Sequence, residues 1–191
     1  MTALKTLLIA VAVVLSVALG VMYAGVYNMA ADEPHWGITE RFIETLRERS
    51  IAARSGSVPR SPALDDPQLI AMGAEHYDEM CTGCHLAPGM KDSEVRAGLY
   101  PKPPNFVERG AQRKPAESFW IIKHGLKMTG MPAWGVTHDD RSIWAIVAFL
   151  QRLPELPRQQ YEDLVATGHT SGHAHHEAST SERVEDAGSN E

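Results

Sequence analysis

A chain of 191 residues, with 18 Lys and Arg against 24 Asp and Glu, has room for one modest domain plus appendages at a formal charge of −6. The acidity gathers at the end: from Arg158 onward there are seven acids and two bases, so the preceding residues are close to neutral. The chain offers no basic face of the kind nucleic acid requires, which excludes nucleic-acid binding.

The first element is apolar. Leu7 to Tyr27 carry no charge over 21 residues, with Lys5 before them and Asp32 and Glu33 after. At about 1.5 Å per residue such a helix crosses the roughly 30 Å hydrocarbon core of a bilayer. The run is longer than the core of a cleavable signal peptide, about 7–15 residues, and no clean small-residue cleavage site follows. Residues 1–33 are therefore expected to be an uncleaved, single-pass anchor. Lys5 keeps the short N-terminus in the cytoplasm, and everything after the anchor is exported. Residues 34–63 follow as a stalk: Trp36, Ile38, Phe42, Ile43 and Leu46 recur at helical spacing, Thr39 is a candidate cap, and Ser55-Gly56 a candidate stop. Residues 54–63, with Ser, Gly and two Pro, have the composition of a linker.

The domain proper spans 64–157. Asp65 or Asp66 ahead of Pro67 opens a helix that runs to Met80. Gly73 within it costs about 1 kcal/mol against alanine, a cost that close approach of another helix would justify. At the end of this helix stands Cys81-Thr82-Gly83-Cys84-His85. Two thiols three residues apart, with a histidine after the second, form the covalent attachment site of a c-type haem. Cys81 and Cys84 add across the porphyrin vinyl groups, and His85 reaches the iron as its fifth ligand. A zinc site would need two further ligands, and no second pair follows at finger spacing. A thioredoxin-like pair should follow a strand, whereas the residues before Cys81 have helical spacing.

Beyond the motif, Pro101, Pro103 and Pro104 make a rigid loop whose backbone carbonyl could accept the Nδ1–H of His85 and fix its tautomer. A second helix is expected over Ala116–Gly125 and a third over Asp139–Leu153, stopped by Pro154. Ile143, Ile146, Val147 and Leu150 give the third an apolar stripe. No segment alternates with period two, so the domain is all-α with long loops, which a buried porphyrin would hold together. Among eight methionines, Met128 and Met131 remain as candidate sixth ligands. Gly and Pro around Met131 favour a tight loop able to present its side chain, so Met131 is preferred. His124, near the end of the second helix, is the rival. Residues 158–191 are polar, acidic and nearly free of aromatics, the composition of a disordered tail. Its His169, His173, His175 and His176 offer weak copper or zinc binding.

CTGCH, PKPPNF, TGMPAWG and the aromatic-bearing terminal helix together resemble a mono-haem class I cytochrome c. More narrowly, they resemble the membrane-anchored bacterial cytochromes with a domain similar to the third subunit of cbb3 oxidases. The resemblance covers about residues 64–156. It implies three helices around one covalently bound haem c, the first and last crossing near Gly73, Tyr77 and Trp144. It also implies Cys81 and Cys84 as thioether donors, His85 and Met131 as axial ligands, and the 103–105 loop, with Pro104, behind His85. A filled axial pair leaves no position open for substrate, so the expected role is electron transfer rather than enzymatic catalysis, alone or as a subunit of an oxidoreductase complex. The expected partners are redox proteins in or near the bacterial inner membrane, met by a cytochrome domain in the periplasm. Two alternatives stand beside it: an open sixth site binding a gas or peroxide, and a copper-handling assembly factor using the His-rich tail.

Overall fold

A computed structural model describes residues 2–170, and among them no strand occurs. The N-terminal helix α1 (Thr2–Tyr23) has none of its residues buried among the described residues. It ends at Tyr23, four residues before the apolar run does, and Gly25 just beyond it has a positive φ of 64° outside the helical region. Helix α2 (Gly37–Arg54) begins three residues earlier than a cap at Thr39 predicts. Trp36 stands at its cap position and supplies no side-chain bond.

The stalk is not free of the domain. The far end of α2 is anchored by Ile51, only 1% exposed. Arg113 Nη1 and Nη2 donate to Glu48 Oε2 and Oε1 at 2.8 and 2.7 Å. The expected linker likewise opens with a short 3-10 turn, Ser55–Ser57, in which Ser55 is buried. Polar composition alone predicts solvent there; a bidentate guanidinium–carboxylate pair between residues 65 apart is invisible to it.

Helix α3 (Pro67–Met80) starts as its sequence requires: Asp66 Oδ1 accepts from Gln68 N at 3.0 Å, with Pro67 at the first turn. It crosses α8 (Asp140–Arg152), capped by Asp139 Oδ1 accepting from Ser142 N at 2.8 Å. Gly73 is the point of closest approach, where a Cβ would lie 2.0 Å from the Ala145 carbonyl oxygen. Helix α7 (Pro115–His124) completes the core, with Phe119 stacked on Trp144 at 4.4 Å between ring centroids. The short helices α4 (Thr82–His85), α5 (Glu94–Ala97) and α6 (Phe106–Arg109) punctuate the long connection between α3 and α7.

The tail differs from its composition. Residues 158–170 form a further helix, α9, rather than disordered chain. Tyr161 is buried, its ring 6.0 Å from that of Phe149, and its hydroxyl donates to Asp78 Oδ1 at 2.5 Å. Leu164 and Val165 pack against the same core. Positions 161, 164, 165 and 168 thus form one helical face, apolar enough to dock although the segment around it is polar. His173, His175 and His176 lie outside the described residues.

Candidate functional site

The CTGCH segment continues α3. Cys81 N donates to Tyr77 O at 2.9 Å, and the amides of Cys84 and His85 both return to Cys81 O, at 3.1 and 2.8 Å. This winding puts both thiols and the imidazole on a single turn. Leu86 ends the turn at φ 68°, a left-handed conformation that costs a branched residue of this kind roughly 1–3 kcal/mol. Tyr77 holds it there, its hydroxyl donating to Leu86 O at 2.7 Å. Sequence reasoning missed this clamp, since nothing in a tyrosine on a helix names a carbonyl nine residues on.

His85 is buried and its orientation is defined. Its Nδ1 lies 2.9 Å from Pro104 O. A carbonyl only accepts, so Nδ1 carries the proton and Nε2 is left as the nitrogen with a free lone pair. The ring stacks on Phe106 at 4.4 Å and 18°. Asn105, whose side chain accepts from Val107 N at 3.0 Å, starts α6 and so sets Phe106 in place. Burial lowers the basicity of His85 below the ordinary histidine range, Pro104 opposes this, and nearby Arg96 adds to it. The neutral imidazole, the form that binds metals, is favoured.

Burial pushes the Cys81 thiol up to about 12, with Cys84 adding to the effect. A redox-active pair calls for the opposite shift. Among the described residues, neither cysteine belongs to a group of three metal-ligating side chains. A buried, neutral thiol beside a second thiol suits thioether formation, which needs no standing thiolate in the finished protein.

Two further features fit a haem. Ser93 caps α5 by accepting from Arg96 N at 3.1 Å, and its hydroxyl donates to Gly83 O, tying α5 to the motif. Asp92 accepts from Lys102 at 2.9 Å and from Arg96 Nη1 at 3.1 Å, and these bonds hold its carboxyl down at about 2. The Arg96 side chain is 13% exposed, yet its Nε has no acceptor among the described residues. An unpaired buried guanidinium N–H beside His85 suits a cofactor that carries carboxylates.

The methionine loop is built around Gly125, at φ 65°, where a Cβ would sit 2.7 Å from Met131 O. Leu126 N donates to that same oxygen at 3.2 Å. Thr129 Oγ1 donates to Leu126 O at 2.8 Å and accepts from Met131 N at 3.1 Å. Met131 is partly buried and packs against the core, whereas Met128 is 58% exposed. His124 is exposed as well, its ring 5.1 Å from that of Trp120. Of the three candidates, only Met131 faces protein interior.

Residues 68–150 match the family model described as cytochrome c oxidase, cbb3-type, subunit III. No curated protein matches the chain. Among solved structures, the chain is similar to one from the Kuenenia stuttgartiensis reducing HAO-like protein complex, at 22% identity and a TM-score of 0.42. That likeness covers 51% of this chain and 47% of the other, so this chain spans about half the length of its structural neighbour.

Proposed function

We propose that the chain is a membrane-tethered carrier of single electrons between respiratory partners, a reading supported by the match of residues 68–150 to the cbb3-type oxidase subunit III model. Cys81 and Cys84 would hold one haem c through thioether bonds, and His85 Nε2 and Met131 Sδ would ligate its iron. Haem supplies the one-electron chemistry when bound; the protein tunes its potential and limits access to it. Pro104 O keeps the proton of His85 on Nδ1 and makes the ring a better donor. Tyr77 and Phe106 hold the turn and the ring, so that little rearranges as charge changes. Arg96 offers an N–H to the cofactor's carboxylates.

The observation that carries this reading is the His85–Pro104 contact, which leaves Nε2 free beside two thiols on the same turn. A thioether as sixth ligand raises the potential and closes the iron to exogenous ligands, which suits transfer rather than turnover. Helix α1 is long and apolar enough to cross a membrane and none of it is covered by the described residues, which supports the tether. Tethering confines the domain to two dimensions and raises its effective concentration toward redox proteins in or near the membrane. A bacterial periplasm, facing the inner membrane, is the compartment this arrangement suits. Encounters of this kind use small interfaces, below about 1,200 Å², from which a partner leaves quickly.

The test is the absorption spectrum of the purified ferric protein. The expected result is a weak far-red band from sulfur–iron charge transfer, lost in Met131→Ala and retained in Met128→Ala. A wild type without that band, which binds carbon monoxide readily once reduced, overturns the carrier reading in favour of gas binding or catalysis.

A further inference from the structure

The face that α3 turns toward α9 is acidic. Glu75 and Glu79 stand one turn apart on it, and Asp78 between them is taken up by the Tyr161 hydroxyl at 2.5 Å. Like charges at this spacing repel. Among the described residues, no Lys or Arg forms an ion pair with Glu75 or Glu79. The partner of Glu75 is His169, whose Nδ1 lies 3.1 Å from Oε1. The ligand atoms of Glu75, Glu79 and His169 all fall within 4.8 Å of one another.

This grouping rests on packed backbone. Gly168, the residue before His169, lies against α3 so closely that a Cβ would meet the Ala71 carbonyl oxygen at 2.5 Å and Glu75 Cβ at 2.7 Å. Tyr161 pins the other end of α9. The imidazole is thus carried to the two carboxylates by a docked helix, so little ordering entropy stands against a ligand.

We propose that Glu75, Glu79 and His169 form a binding site for a divalent transition-metal ion of the Zn2+ type, joining α9 to the helix that bears the CTGCH motif. A four-coordinate ion with bonds of about 2.0–2.2 Å holds its donors roughly 3.4 Å apart, so side-chain rotation alone closes the group around it. Two carboxylates and one imidazole suit Zn2+. Ca2+ and Mg2+ favour all-oxygen sets, and Cu(I) calls for sulfur. Water completes the coordination. The ion would neutralise the two carboxylates and fasten α9 to α3 two to six residues before Cys81, at a site separate from the haem ligands.

The competing binder is the run of histidines that follows, and the experiment separates the two. The full haem-loaded chain is freed of metal with a chelator and titrated calorimetrically with Zn2+ alone. This is done first on a variant in which His173, His175 and His176 are all alanine. That variant is expected to bind one Zn2+ per chain and to melt at a higher temperature when zinc is present. Adding Glu75→Gln or His169→Ala should weaken binding at least tenfold and abolish the zinc-dependent rise in melting temperature. An unchanged haem spectrum shows that each variant is folded. Zinc binding that disappears with the three later histidines, or that ignores Glu75→Gln and His169→Ala, overturns the proposal and leaves an adventitious ion only.

Discussion

Helices α1 and α8 each carry a long unbroken apolar run, and the two runs meet opposite fates. Helix α1 runs 22 residues without burying one, whereas α8 buries eight in succession, Ile143 to Leu150. Both must leave water, and composition does not say what receives them. Length does. The uncharged stretch of α8 rises about 15 Å, too little for a bilayer, while α1 rises about 33 Å, enough for its roughly 30 Å core. Helix α8 is covered by its own chain: α3 closes in at Gly73, Phe119 stacks on Trp144, and Tyr161 of α9 reaches Phe149. Helix α1 has no such cover among the described residues.

The difference is tested first where it is largest. Phe149 is fully buried and its ring packs on Tyr77 at 5.2 Å. Phe149→Ala should destabilise the domain by about 3–5 kcal/mol in denaturant unfolding, the usual cost of emptying a core of this kind. A loss below about 1 kcal/mol would mean that α8 is not held by its neighbours as described. The same kind of damage in α1 should be silent there. Leu15→Arg is expected to leave the melting temperature of the domain unchanged, while opposing bilayer insertion by about 3 kcal/mol, read as release from membranes on washing. A shift in the domain's melting point would show that α1 docks on protein after all.

What was legible in the sequence divides along the same line, between local and distant causes. The cap at Asp66, the break at Pro154 and the close approach at Gly73 each depend on a few neighbouring residues, and all were readable. So was the need for a carbonyl behind His85, because a proline-rich loop offers acceptors in a rigid frame; the structure gives that part to Pro104. Contacts that join remote segments were not readable. Tyr77 clamping the strained Leu86, Glu48 meeting Arg113 and Tyr161 reaching Asp78 all depend on the finished fold. Helix α9 is the instructive case. Its four inward positions carry the pattern, but they are set among residues whose average composition reads as solvated chain.

Helix α2 combines both behaviours, and so gives the finest comparison. Its first half exposes Ile38, Phe42 and Leu46, as α1 does, and its second half buries Ile51, as α8 does. The clamp at the changeover is Glu48 with Arg113. The hydrogen bonds from Arg113 hold the Glu48 carboxyl below its ordinary value of 4.5, against the opposing effect of burial and with help from Arg47. A group depressed in this way stabilises the folded state in full above its ordinary value, and the contribution fades as pH falls through the lowered one. Both side chains are more than a third exposed, so water screens the pair to at most about 1 kcal/mol. Glu48→Gln should therefore lower the melting temperature by a few degrees at neutral pH. The gap from wild type should close as the solution is acidified below the glutamate range, and also as salt is raised. A gap that stays constant across that range would assign the docking of α2 to Ile51 and its neighbours alone. The stalk would then be held as α8 is held, by apolar burial, with the ion pair only recording its position.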